Sequence, residues 1–150
     1  MSDAIFSYTP TPHQPTTWEQ ALGVGHNSVM ELIDKLQSGL NAQAFERFSD
    51  LSGVPRDELA HALKVSTRTL QRRKEAGKPL DSGTSERLVR LAKLYARAAE
   101  VIGDDALAKQ WMRTPRVLFE GKTPFEMATT ELGAGEVEDL LLRTEHGVFS

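Results

Sequence analysis

The sequence predicts an all-α protein, a helix-turn-helix unit followed by a small helical domain. Three observations carry that expectation. Beyond residue 17 no stretch alternates apolar and polar side chains as a half-buried strand would, whereas apolar residues recur at three- and four-residue spacing. Helix boundaries are marked chemically, with Ser, Asp or Thr-Pro ahead of the apolar runs and Gly after them. Residues 59–73 then join two short helical runs through a tight turn.

The elements follow in order. Residues 7–17 hold three prolines and no aliphatic side chain, too little apolar surface to offset the entropy of ordering, so residues 1–27 are expected to form a flexible arm. Ser28-Val29-Met30-Glu31 has the form of a capping box opening a short helix through Met30, Ile33, Leu36 and Gln37, ended by Gly39. Ala42 to Leu51 sets Ala44, Phe45, Phe48 and Leu51 on one face, and Gly53 stops it. Pro55 suits a first helical position, with Leu59, Ala60 and Leu63 behind it. Val65-Ser66 interrupts, and Ser66 caps a helix from Thr67 to Ala76 that Gly77 closes. After a loop over 78–83, a long helix from about Thr84 to Ile102 carries the stripe Leu88, Leu91, Ala92, Tyr95, Ala99 and Ile102. Asp104 caps a shorter helix containing Trp111, broken by Pro115. Thr123-Pro124-Phe125-Glu126 joins a capping box to a first-position proline, and its helix is expected to reach about Thr130. The last helix is expected from Gly135 to about His146, burying Val137, Leu140 and Leu141.

Composition narrows the function. The formal net charge of −3 conceals three segments: −4 over residues 1–55, +6 over 56–97 from 11 basic and 5 acidic side chains, and −5 over 98–150. A basic middle between acidic ends suggests different partners for different segments. The absence of cysteine removes disulfides, thiolate metal ligation and thiol catalysis. No apolar run approaches the ~20 residues of a membrane span, and the N-terminus lacks the form of a signal peptide, so a cytoplasmic location is the expectation.

Two stretches carry candidate chemistry. With Leu70 inward, Arg68, Arg72 and Glu75 project from the second helix of the helix-turn-helix and Gln71 lies on their flank. Arg matches guanine and Gln matches adenine in the major groove. Ser66 and Thr67 open that helix, and Arg73 and Lys74 would reach phosphate with their tips. The bland reading is a solvated basic helix. Arg90, Lys93 and Arg97 share a face of the long helix, as a second phosphate contact or an ordinary solvated stripe. The second stretch is the C-terminus, where Val148 and Phe149 follow the Gly147 stop. Either they tuck onto the chain's own core or they dock into a partner, with Glu136, Glu138 and Asp139 nearby to meet a basic surface.

Enzyme signatures fail. Gly121-Lys122-Thr123 lacks the glycine at position 116 that a phosphate-binding loop requires, and Gly23-Val24-Gly25 follows no strand. The four histidines are scattered, Glu58 and His61 amount to a surface pair, and Asp104-Asp105 is a helix cap. No enzymatic activity, metal or cofactor is expected.

Taken together, Val65–Arg73, Ser85–Ala92, Ala108–Met112, Gly121–Glu126, Glu131–Ala134, Val137–Leu141 and His146–Ser150 resemble the Xre/ParS-type antitoxins that neutralise RES-domain toxins. The resemblance spans the last two thirds of the chain. It implies an Xre-like helix-turn-helix region over 28–83 that dimerises and binds operator DNA. A long connecting helix and C-terminal toxin-binding domain would fill 84–150. The partner would be a RES-domain toxin resembling ADP-ribosyl-transfer enzymes that act on NAD+, with its active-site cleft obstructed by the antitoxin. The DNA-binding set is then Ser66, Thr67, Arg68, Gln71, Arg72, Arg73 and Lys74, and the toxin-binding set Glu138, Arg143, His146, Gly147, Val148, Phe149 and Ser150. Arg143 would pair with an acid in the cleft, and Val148 and Phe149 would supply apolar burial. A stand-alone regulator without a toxin, or an adaptor that has lost DNA binding, are the competing readings. Two departures stand out: Met127-Ala128 replaces the usual Leu pair, and Glu120 stands where Gly is common.

Overall fold

The computed structural model describes residues 16–145. Nine α-helices run in order among them: α1 (Trp18–Leu22), α2 (Val29–Ser38), α3 (Gln43–Ser52), α4 (Arg56–Ala62), α5 (Thr67–Glu75), α6 (Ser82–Ile102), α7 (Asp105–Met112), α8 (Pro124–Met127) and α9 (Glu131–Glu145). A single 3-10 turn, Val117–Phe119, lies between α7 and α8, and no strand occurs among the described residues.

α6 is the axis. Thr84, Ser85, Leu88, Val89, Leu91, Ala92, Leu94, Tyr95, Ala98 and Ala99 are all buried, more than one stripe can supply. α1, α2 and α3 pack against it, as do α7 and α9 from the C-terminal part of the chain. Phe48 of α3 meets the Tyr95 ring edge-on at 5.2 Å and 88°. Asp81 caps α6 by accepting from the Thr84 backbone at 2.8 Å and from its hydroxyl at 2.9 Å. One turn on, the buried Ser85 hydroxyl accepts from the Leu40 amide at 2.9 Å, while the Leu80 amide donates to the Leu40 carbonyl at 2.8 Å. Those two bonds tie the α2–α3 connection to the start of the long helix.

Part of the segment expected as a flexible arm, residues 1–27, is helical. Residues 1–15, which include most of the proline-rich stretch, lie outside the described residues. From Thr17 the chain is helical, with a complete capping box between Thr17 and Gln20 and a left-handed Gly23 behind it. Ala21 and Leu22 bury themselves in the core as α1 packs against α3 and α6, apolar burial that offsets the entropy of ordering this turn.

Other boundaries move for local reasons. Ser28 caps α2, but Glu31 turns away to accept from the Asn27 amide at 2.8 Å, so the box is half formed. α2 buries none of its residues fully: Val29, Met30 and Ile33 are exposed. Leu51 is likewise exposed at the end of α3, and Pro55 is the N-cap of α4 rather than its first residue. α6 begins at Ser82, and α8 ends at Met127, short of Thr130.

α9 begins at Glu131, four residues before the expected start at Gly135. Gly133 is inside the helix because a Cβ there would overlap the Met127 carbonyl, so α8 and α9 approach closely only over a hydrogen atom. Glu120, at φ +56°, occupies the left-handed region. A glycine would adopt this conformation without strain.

Three outcomes are expected from these observations. Glu120→Gly should raise unfolding stability by about 1 kcal/mol by relieving left-handed strain, read as a higher urea midpoint at constant m. Gly133→Ala should destabilise by about 1–3 kcal/mol, because backbone and not a pliable side chain opposes the new methyl. Hydrogen bonds, led by that from the Thr84 amide, hold the Asp81 carboxyl below the usual carboxylate range. Its contribution is therefore complete above the unfolded-state pKa and lost as pH falls through the lower folded value. Asp81→Ala should cost about 1 kcal/mol at neutral pH, and the gap to wild type should close in acid denaturation series as that value is crossed.

Candidate functional site

The helix-turn-helix is α4, the turn Leu63-Lys64-Val65 and α5. Leu59, Ala60, Ala62 and Leu63 from one side and Leu70 from the other are buried. The Val65 amide donates to the Ala60 carbonyl at 3.0 Å and the Lys64 amide to that of His61 at 3.1 Å. Lys64 sits at φ +59°, a turn position where such motifs often use glycine. The Ser66 hydroxyl accepts from the Thr69 amide at 3.0 Å and so starts α5.

α5 fully buries one residue, Leu70, half-buries Thr69 and Arg73, and exposes the others. Arg68, Gln71, Arg72 and Glu75 are exposed together, and Gln71 donates to Glu75 at 3.0 Å. Neither Arg68 nor Arg72 has a carboxylate within ion-pair distance among the described residues. Arg73 and Lys74 are placed differently. Arg73 is half-buried and donates to the Pro79 carbonyl at 2.8 Å, fixing the loop behind α5. Lys74 stands 3.9 Å from Glu46, a carboxylate already engaged with Arg56. Ser66 is committed to its cap, and Thr67 is exposed beside it.

The basic face expected along the long helix does not exist as a free stripe. Lys93 lies over the Trp18 ring at 5.3 Å, and Arg97 pairs with Glu100 at 3.2 Å and with Glu145 of α9. Arg90 is half-buried, with its Nε enclosed. Arg87 donates to the Leu63 carbonyl at 2.8 Å, joining α6 to the helix-turn-helix. These cations hold elements together.

In the C-terminal unit α9 lies along α6 through Val137, Leu140 and Leu141, with the Arg97–Glu145 pair at its end. Glu136, Glu138 and Asp139 are exposed on it, as is Arg143 in its last turn. His146, Gly147, Val148, Phe149 and Ser150 lie outside the described residues. Glu58, read from sequence as one of a surface pair with His61, instead meets Arg113 at 2.6 Å. Arg113 also sits 5.8 Å from the Phe125 ring centroid. His61, Lys64, Lys122 and Glu126 line the groove of about 540 Å³ around this contact. The link between α4 and the C-terminal unit had no signal in the sequence, because Glu58 and Arg113 belong to separate segments. No group of three metal-ligating side chains occurs among the described residues. No described helix is long and apolar enough to cross a membrane.

Comparison with known proteins agrees with this division. Residues 31–93 match the Antitoxin Xre-like helix-turn-helix domain, and residues 97–147 match the Antitoxin Xre/MbcA/ParS C-terminal toxin-binding domain. The two matches meet inside α6, so the units share a helix and are not separated by a linker. The chain is 31% identical to an Antitoxin Xre of Yersinia enterocolitica over 96% of its own length and 99% of that protein. It is 38% identical to an Antitoxin Xre of Pseudomonas putida, over 80% of this chain and 74% of that one. A protein of Sphingobium sp. named Prs ADP-ribosylating antitoxin is 26% identical over 82% of this chain and 83% of its own. With both domains matched in order and the Yersinia relative aligned nearly end to end, the chain belongs to the Xre antitoxin family.

Proposed function

We propose that this antitoxin neutralises a RES-domain, NAD+-consuming toxin by covering its active-site cleft with the C-terminal segment, and represses its own operon as a DNA-bound homodimer. The observation that carries the reading is that one continuous helix, α6, serves both the helix-turn-helix and the toxin-binding domain. A toxin docked at one end is thereby mechanically joined to whatever the other end binds. The word ADP-ribosylating in the name of the Sphingobium relative supports an NAD+-using partner.

For DNA, Arg68, Gln71 and Arg72 form a solvent-facing set suited to base edges. Arg73 and Lys74 serve more as supports of the reading helix than as independent phosphate ligands, given their internal partners. For self-association, α2 offers Val29 and Met30, 69% and 66% exposed, with Ile33 on the same helix. An apolar face of that kind is what a second copy would cover. For the toxin, α9 is held to α6 up to Glu145 and exposes Glu136, Glu138 and Asp139, and the sequence that follows it supplies the apolar residues Val148 and Phe149.

In band-shift titrations on the promoter of its own operon, Arg68→Ala and Arg72→Ala should each weaken binding by about 1–3 kcal/mol. Wild-type affinity should fall steeply with salt. Unchanged affinity in both variants would leave α5 as mere surface. Removing residues 143–150 should release the toxin's NAD+ consumption while the thermal midpoint changes little, since the lost Arg97–Glu145 pair is largely solvent-screened. Full neutralisation by the truncated chain would refute occlusion by the tail.

A further inference from the structure

The loop from Arg116 to Lys122 closes on itself through backbone hydrogen bonds. The Arg116 amide donates to the Lys122 carbonyl at 3.0 Å, and the Gly121 amide donates to the Arg116 carbonyl at 2.9 Å. The Glu120 amide adds a bond to the Val117 carbonyl at 2.9 Å, and Phe119 is buried as the loop's anchor. A loop fixed this firmly would be expected to bury its neighbouring apolar side chains or to replace them with polar ones. It does neither. Val117 is 97% exposed and Leu118 58% exposed. Beside them the Arg116 guanidinium stacks on Trp111 at 4.8 Å, and Leu107, one turn earlier on the same face of α7, is 54% exposed.

Arg116 itself is incompletely satisfied. Its Nε is enclosed without a hydrogen-bond partner, and its NH2 group reaches only the Trp111 carbonyl, at 3.4 Å. No carboxylate lies within ion-pair distance of it among the described residues. Partial burial pulls its pKa below the usual guanidinium value, the mark of a cation that has given up water without gaining an acid.

From this geometry we infer that Val117 and Leu118, with Leu107 and Arg116 at their border, form a preorganised docking knob for the toxin, separate from the C-terminal tail. The knob belongs to the domain matched as toxin-binding, and its occupant is therefore the toxin rather than DNA or membrane. The complementary toxin surface has a stated chemistry: an apolar depression that receives Val117 and Leu118, and a carboxylate at its edge that completes Arg116. Rigid apolar side chains on a closed loop lose little entropy on binding, which is what concentrates affinity in a few residues. This inference rests on toxin neutralisation as the chain's role, and not on what the toxin's reaction is.

The test uses the full chain and the toxin encoded beside it, purified from the co-expressed complex and separated before titration. Val117→Asp and Leu118→Asp should each weaken toxin binding by about thirty-fold or more, as removal of a hot spot does. Arg116→Ala should weaken it by about ten-fold. Thermal midpoints should stay near wild type, since neither side chain is part of the core. A tail-truncated chain lacking residues 143–150 is titrated in parallel. If the tail variant fails to neutralise while Val117→Asp and Leu118→Asp bind as wild type does, the knob is overturned and tail occlusion stands. If the knob variants fail while the truncated chain neutralises, the knob stands and tail occlusion falls. Absence of binding by wild type would overturn both. A change in oligomeric state of the free Val117→Asp chain by light scattering, with toxin affinity unchanged, would assign the patch to self-association and overturn the inference.

Discussion

A helix buried on opposing sides cannot tilt without unpacking both sets of neighbours, and α6 is in that position. Ser85 near its start holds the connection between α2 and α3, Tyr95 further along meets Phe48 of α3, and α7 and α9 pack on it from the C-terminal part of the chain. Close packing makes such an axis stiff, because interiors tolerate little volume change. The helix-turn-helix and the toxin-binding domain consequently have a defined relative placement. Their separate contact through Glu58 and Arg113 braces the same arrangement from a second point.

Charge is divided along the same lines. Most cations of the basic middle are spent internally: Arg56 on Glu46 and Asp50, Arg73 on a loop carbonyl, Arg87 on the end of α4, Lys93 on Trp18 and Arg97 on α9. Exposed cations without an acid among the described residues remain in Lys64, Arg68, Arg72 and Lys78, and of these Arg68 and Arg72 stand together on α5. The positive charge summed over residues 56–97 thus overstates the basic surface and hides its focus. In the C-terminal unit Arg116 is a half-buried cation without an acid among the described residues, stacked on Trp111 beside two exposed apolar residues.

Much of this was legible in advance. The all-helical class, the caps at Ser66, Asp104 and Thr123, and the outward face of α5 follow from short-range rules that bind residues three or four apart. Where sequence reading erred, a long-range contact had overridden a local preference. The proline-rich start suggested an arm reaching residue 27, yet Ala21 and Leu22 found a site on α3 and α6. The last helix was expected to open at Gly135, yet it begins at Glu131, where the lack of a Cβ at Gly133 admits the Met127 carbonyl. The apparent basic stripe at Arg90, Lys93 and Arg97 dissolved because its partners, Trp18 and Glu145, come from the two ends of the described chain.

The helical class, the helix-turn-helix with the outward face of its second helix, and the two-part organisation could be read from the sequence, since each depends on residues adjacent along the chain. Which cations meet an acid, which apolar residues are left outside the core, and that both units grip one helix emerge only once the chain has folded. Those are properties of distance in space, and neither spacing nor composition encodes the partner that a side chain meets after folding.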